Sequence, residues 1–111
     1  MSSSARKSVS TIGGAHYTAA KAGVLGLTRH LAPELAVDGI RVNAVCPGLI
    51  DTEMVRATIP VLQIEAYAAS FPMRRLGHPG EVAEIVAFLA SPRSSYVTGA
   101  SFDVNGGDLT I

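Results

Sequence analysis

Tyr17 and Lys21 stand four residues apart in the stretch Tyr17-Thr18-Ala19-Ala20-Lys21, a spacing that puts both side chains on one face of a helix. A free tyrosine ionises near pH ~10 and is a poor acid or base at neutrality. An ammonium beside it favours the phenolate, and the pair can then pass a proton to or from the oxygen of a ketone or an alcohol. A serine hydroxyl near that oxygen would polarise it, and Ser2, Ser3 and Ser4 lie upstream. The reaction also needs a hydride, which side chains cannot supply and a nicotinamide can. By itself the Tyr/Lys spacing is more often a solvated helix pair, so the surrounding elements decide its weight.

Those elements follow from apolar periodicity. Residues 1–15 are rich in Ser and Gly and read as a loop. From His16 a helical pattern begins, with Ala20, Val24, Leu27, Leu31 and Leu35 as its apolar stripe. Gly23 and Gly26 weaken that helix and are expected to admit another backbone closely. Pro33 should kink it or tighten its final turns, and Asp38-Gly39 ends it with glycine as a left-handed cap. Ile40 to Cys46 reads as a strand, ended by Pro47-Gly48. Residues 55–78 give short helical pieces and turns, broken by Pro60 and Pro72. A second helix starts at His78-Pro79-Gly80-Glu81 and buries Val82, Ile85, Val86 and Leu89 before Ser91-Pro92. The last strand is Ala100 to Val104, followed by Asn105-Gly106-Gly107.

Strand, helix, strand at this spacing predicts a parallel crossover. Parallel sheets are normally larger and covered on both faces. The pattern is therefore that of an α/β fold, the C-terminal part of a Rossmann-type doubly wound parallel sheet. The first strand is expected to lack a neighbour and to promote self-association.

Composition narrows the partners. The chain has 111 residues, enough for one core. Hydrophobic residues at 48% against 16% charged argue for a globular chain. Zero net charge gives no basic field for nucleic acid. No apolar run is long enough for a bilayer, and Met1 to Lys7 lacks a signal-peptide core, so a cytoplasmic protein is expected. The single Cys46 lies in an apolar run and reads as a small core residue. His30 and His78 lack ligand-spaced partners, so no metal is expected. His16 reads as a helix-start residue and Arg74-Arg75 as solvated surface.

Several blocks in order resemble the short-chain dehydrogenase/reductase family. They are Tyr17-Thr18-Ala19-Ala20-Lys21-Ala22-Gly23 and Gly39-Ile40-Arg41-Val42-Asn43-Ala44-Val45-Cys46-Pro47-Gly48. Pro72 to Gly77, Glu81-Val82-Ala83, Val97-Thr98-Gly99 and Asp103-Val104-Asn105-Gly106-Gly107 complete them. The resemblance covers essentially the whole chain and is nearest to 3-oxoacyl-carrier-protein reductase-like members. It implies an NAD(P)-dependent oxidoreductase interconverting a ketone and a secondary alcohol with a Ser-Tyr-Lys group.

By that resemblance Tyr17 is the catalytic acid/base, and Lys21 binds the nicotinamide ribose and stabilises the phenolate. Pro47, Gly48, Ile50 and Thr52 line the nicotinamide and its phosphates. Residues 53–77 correspond to the variable substrate loop. The family's Ser-Ser-x-Ala-Gly block nominates Ser3 and the usual distance to the tyrosine nominates Ser4. Ser3 is narrowly preferred, and Arg6 stands where the family has glycine. The implied partners are NAD or NADP, a small carbonyl or alcohol substrate and further copies of the chain. The family's Gly-rich pyrophosphate turn and an earlier catalytic asparagine have no counterpart in these 111 residues. The expected domain is thus a partial one over residues 1–111, starting at an internal methionine and turning over nicotinamide poorly alone. The alternative function is a non-catalytic remnant or self-association module of the same family.

Overall fold

A computed structural model describes residues 1–4 and 13–110. The order is helix α1 (Ala15–Ala36), strand β1 (Ala44–Pro47), helices α2 (Glu53–Thr58), α3 (Val61–Ser70) and α4 (Pro79–Ala90), a 3-10 turn (Pro92–Ser94) and strand β2 (Ser101–Val104). The strands are parallel, in register Ala44 with Ser101 through Pro47 with Val104. Only a fragment of a Rossmann-type sheet is present, with α1 and α4 both touching β1.

The core sits on β1. Ala44, Val45 and Cys46 are all buried. Successive strand residues point to opposite faces, so a continuous buried run means cover on both sides. Ala44 and Cys46 form one cluster with Leu25 of α1.

The buried stripe of α1 is not the expected one. It runs through Leu25, Thr28 and Ala32, while Leu27 is 57% exposed. Apolar periodicity passes over Thr28, yet its hydroxyl donates to the Val24 carbonyl at 2.8 Å and is satisfied inside the helix. The helix carries Pro33 and runs on to Ala36. It closes as expected at Gly39, whose φ is +72°. The Gly39 amide donates to Ala36 O at 3.0 Å and the Ile40 amide to Leu35 O at 3.2 Å, the paired bonds of a Schellman cap. Among the described residues Gly23 and Gly26 have no close neighbour, since a Cβ on either would meet nothing within 4 Å.

The first strand begins at Ala44, four residues later than the apolar pattern gives. Ahead of it side chains supplement one backbone bond, the Gly99 amide to Val42 O at 2.7 Å. Asn43 Nδ2 donates to Val97 O at 2.8 Å and Asn43 Oδ1 accepts from the Ala100 amide at 3.1 Å. The Val42 amide donates to Thr98 Oγ1 at 3.1 Å. Arg41 Nη2 donates to Leu89 O at 2.8 Å, near the C-terminus of α4, where a cation also complements the helix dipole. The regular ladder then starts at Ala44 N to Ala100 O, 2.9 Å. On its other side β1 receives the Ser2 amide at Val45 O, 2.8 Å, so the strand expected to lack a neighbour has contacts on both edges.

In α4, Val82 is buried, but Val86 is exposed rather than part of a buried stripe. His78 caps this helix: its side chain accepts from the Gly80 amide at 3.1 Å, and its amide donates to Glu81 Oε2 at 2.7 Å.

Two measurements follow from these contacts. Asn43→Ala strips partners from Val97 O and the Ala100 amide, and should lower unfolding free energy by about 1–3 kcal/mol in a urea melt. Gly23→Ala fills open space on an exposed helix and should raise it by up to about 1 kcal/mol.

Candidate functional site

Helix α1 starts on the carbonyl of Gly14, which accepts from the Tyr17 amide at 3.0 Å and the Thr18 amide at 3.2 Å. That start puts Tyr17 in the first turn and Lys21 one turn on. The two side chains meet: Lys21 Nζ lies 5.5 Å from the Tyr17 ring centroid, within range for attraction between a cation and a ring. Tyr17 keeps 37% of its surface exposed. Lys21 Nζ also donates to Met1 O at 3.4 Å. An ammonium carries three protons, so it retains donors for a diol.

Ser2, one of the three upstream serines, has a structural place that the sequence does not signal. It is buried; its amide donates to Val45 O at 2.8 Å and its hydroxyl to Lys21 O at 2.7 Å. Ser2 thus ties the first residues to β1 on one side and to α1 on the other. This carries the half-buried Ser3 and Ser4 to the neighbourhood of the Tyr/Lys helix. A polar residue flanking a buried strand is the available signal, masked here by three consecutive serines. Arg6, the departure that bears on this loop, lies outside the described residues.

Pro47, Gly48, Ile50 and Thr52 form a second group on the loop leaving the carboxyl end of β1, where ligands sit in open α/β sheets. This loop is held from the C-terminal side. The Gly48 amide donates to Val104 O at 3.0 Å. A Cβ on Gly48 would lie 2.9 Å from Asn105 Cα, so its smallness serves that approach. Ile50 bridges to Gly77, and the Asp51 amide donates to Gly77 O at 2.8 Å. Thr52 caps α2 by accepting from the Val55 amide at 3.3 Å, and its hydroxyl proton is left to donate elsewhere.

Beside this loop lies an open cleft of about 320 Å³ lined by residues 73, 75–77, 81 and 103–107. Its charged wall is a two-toothed ion pair, Arg75 Nη1 to Glu81 Oε2 at 2.8 Å and Arg75 Nη2 to Glu81 Oε1 at 2.6 Å. Arg75 is therefore a tether between the 72–77 loop and α4, not merely solvated surface. Arg74 holds a left-handed φ of 58° and donates to Ala69 O at 2.8 Å.

Among the described residues no three His, Cys, Asp or Glu side chains are grouped as a metal site. No described helix is long and apolar enough to cross a membrane.

The family model described as enoyl-(acyl carrier protein) reductase matches residues 1–108. The chain is 49% identical over 100 residues to an acetoacetyl-CoA reductase of Shinella zoogloeoides, covering 90% of this chain and 42% of that one. It is 50% identical over 99 residues to the 3-oxoacyl-[acyl-carrier-protein] reductase FabG of Vibrio cholerae, covering 89% and 40%. Among solved structures, a 3-oxoacyl-[acyl-carrier protein] reductase of Brucella melitensis superposes with a TM-score of 0.90 at 46% identity, over 96% of this chain and 39% of that one. A second from the same organism, with bound NAD, gives 0.85 at 44%, over 96% and 38%. The chain spans about two-fifths of the length of the curated relatives it matches.

The cleft's ion pair gives a pH test. The Arg75 guanidinium, with the His78 amide behind it, pulls the Glu81 carboxyl down to about 2. Its folded value lies below its unfolded one, so its stabilisation is complete above about pH 4.5 and is lost as pH falls toward about 2. The urea midpoint should fall across that window, less steeply in high salt, and Glu81→Gln should flatten this component.

Proposed function

The chain belongs to the short-chain dehydrogenase/reductase family, and on that premise we propose that it carries the proton-transfer end of an NAD(P)-dependent ketone/alcohol oxidoreductase. The observation that carries the reading is Lys21 Nζ at 5.5 Å from the Tyr17 ring on the exposed start of α1.

In this reading the Tyr17 hydroxyl donates its proton to the substrate carbonyl oxygen as negative charge develops there. The Lys21 ammonium stabilises the phenolate left behind and offers its remaining protons to the nicotinamide ribose hydroxyls. Ser3 or Ser4 donates to the same substrate oxygen and fixes its position. Pro47, Gly48, Ile50 and Thr52 line the nicotinamide side. Their donor chemistry fits that end of NAD or NADP: a phenol and an ammonium together, and a threonine hydroxyl with a proton to give. When bound, the nicotinamide supplies the hydride to the carbonyl carbon.

The substrate we assign is a small 3-oxoacyl thioester, reduced to the 3-hydroxyacyl product. The names of the relatives support this over a 2-enoyl group. A phenol and a serine converging on an oxygen also suit a carbonyl.

A second reading, a self-associating module without turnover, is favoured by one observation. Leu27 of α1 is 57% exposed, and a Cβ on Gly26 beside it would meet no described atom within 4 Å. In both readings the partner is a further copy of the chain.

Oxidation of NADH or NADPH with acetoacetyl-CoA and with crotonyl-CoA separates these possibilities. Slow turnover with acetoacetyl-CoA and none with crotonyl-CoA is expected of this chain, reduced roughly 10²- to 10⁴-fold by Tyr17→Phe. Retained activity in Tyr17→Phe overturns Tyr17 as the proton donor. A dimer with no turnover selects the module.

A further inference from the structure

We propose that Gly13 is a positioning residue for the Tyr17 phenol, required for the absence of its side chain. This deepens the oxidoreductase reading of Tyr17 and rests on it.

Gly13 precedes Tyr17 by four residues, just ahead of the helix. A Cβ built on it would lie 2.7 Å from Tyr17 Cγ, 2.8 Å from Tyr17 Cβ and 2.8 Å from Tyr17 Cδ1. Packed carbons approach to roughly 3.5–4.0 Å, so all three are overlaps. Turning the ring about its first side-chain bond carries Cγ and Cδ1 away but leaves Tyr17 Cβ where it is. A side chain at position 13 therefore demands movement of the backbone linking residues 13 to 17. The catalytic hydroxyl lies at the far end of the tyrosine, so a small shift at its root moves the hydroxyl further.

The neighbouring glycines differ. A Cβ on Gly14 would meet only the His16 imidazole, at 3.0 Å, which is the movable end of a side chain. One on Gly23, in the same helix, would meet nothing within 4 Å. Of these three, Gly13 alone presses on the base of the phenol. Its backbone holds one flank of Tyr17, and the ammonium of Lys21 lies near the ring. Together they set where the hydroxyl points.

The test compares Gly13→Ala, Gly23→Ala, Tyr17→Phe and the Gly13→Ala/Tyr17→Phe pair in the full chain, with acetoacetyl-CoA and NAD(P)H. Gly13→Ala should lower kcat roughly 10- to 100-fold, the scale of a misplacement near 1 Å, with each KM held within about twofold. Gly23→Ala should match the parent. In the Tyr17→Phe background, Gly13→Ala should cost nothing further, because the hydroxyl it displaces is gone. The ring resonances of Tyr17, followed by NMR without cofactor, should shift in Gly13→Ala and not in Gly23→Ala.

Unchanged Tyr17 resonances and kcat in Gly13→Ala overturn the proposal, even where Tyr17→Phe is inactive. A full-activity Tyr17→Phe overturns the underlying reading of Tyr17 as the proton donor instead, and the resonances still report whether Gly13 places the ring. If Gly13→Ala does not fold, Gly13→Ala/Tyr17→Gly should, since all three overlapping atoms are then absent. Failure of that double variant also overturns the proposal.

Discussion

Two strands that run parallel cannot be joined by a tight turn, and this constraint shapes the whole chain. The path from the end of β1 back to the start of β2 must cross the length of the sheet. It does so through α2, α3 and α4. The crossover returns in a defined register because Asn43 bonds both Val97 O and the Ala100 amide just before the ladder begins. Arg41 secures the same junction from the end of α4. These polar contacts deliver β1 with its carboxyl end aligned to β2, and the loop from Pro47 to Thr52 hangs from that end.

The two parts of the candidate site depend on that frame differently. Tyr17 and Lys21 need only a helix, and helical geometry brings them together. Ser3 and Ser4 need the burial of Ser2, which is anchored to the main chain of both Lys21 and Val45. The Pro47–Thr52 loop needs segments far along the chain, at Gly77 and at Val104 to Asn105. The chemistry of the first group is thus local and that of the second is set by distant contacts.

The same division explains what could be read from the sequence. The Tyr17/Lys21 pairing, the cap at Gly39 and the start of α4 at His78 are signals of local stereochemistry, and the structure has all three. The parallel pairing followed from element order. Readings that depended on tertiary partners fared less well. Thr28 is buried because it satisfies itself within α1, which a scale that scores hydroxyls as polar cannot register. Residues 40–43 have strand composition, but the Ile40 amide closes the α1 cap and the pairing at Val42 and Asn43 mixes one backbone bond from Gly99 with the side chains of Asn43 and Thr98. Arg75 looks like surface until Glu81, six residues on, turns out to face it across the start of α4. The blocks resembling the family were legible because they hold these distant contacts in a fixed order.

Gly48 makes the turn that ends β1 depend on residues far along the chain. The backbone of Asn105 lies over it so closely that no side chain fits between them. Asn105 is in turn held by its own side chain, which donates to Leu109 O at 2.8 Å and accepts from the Gly107 amide at 3.0 Å. Residues 105–109 therefore act as a clasp on the turn that ends β1. Opening that clasp would free the loop from Pro47 to Thr52 and leave the Tyr17/Lys21 helix untouched, so the two groups of the candidate site can come apart independently.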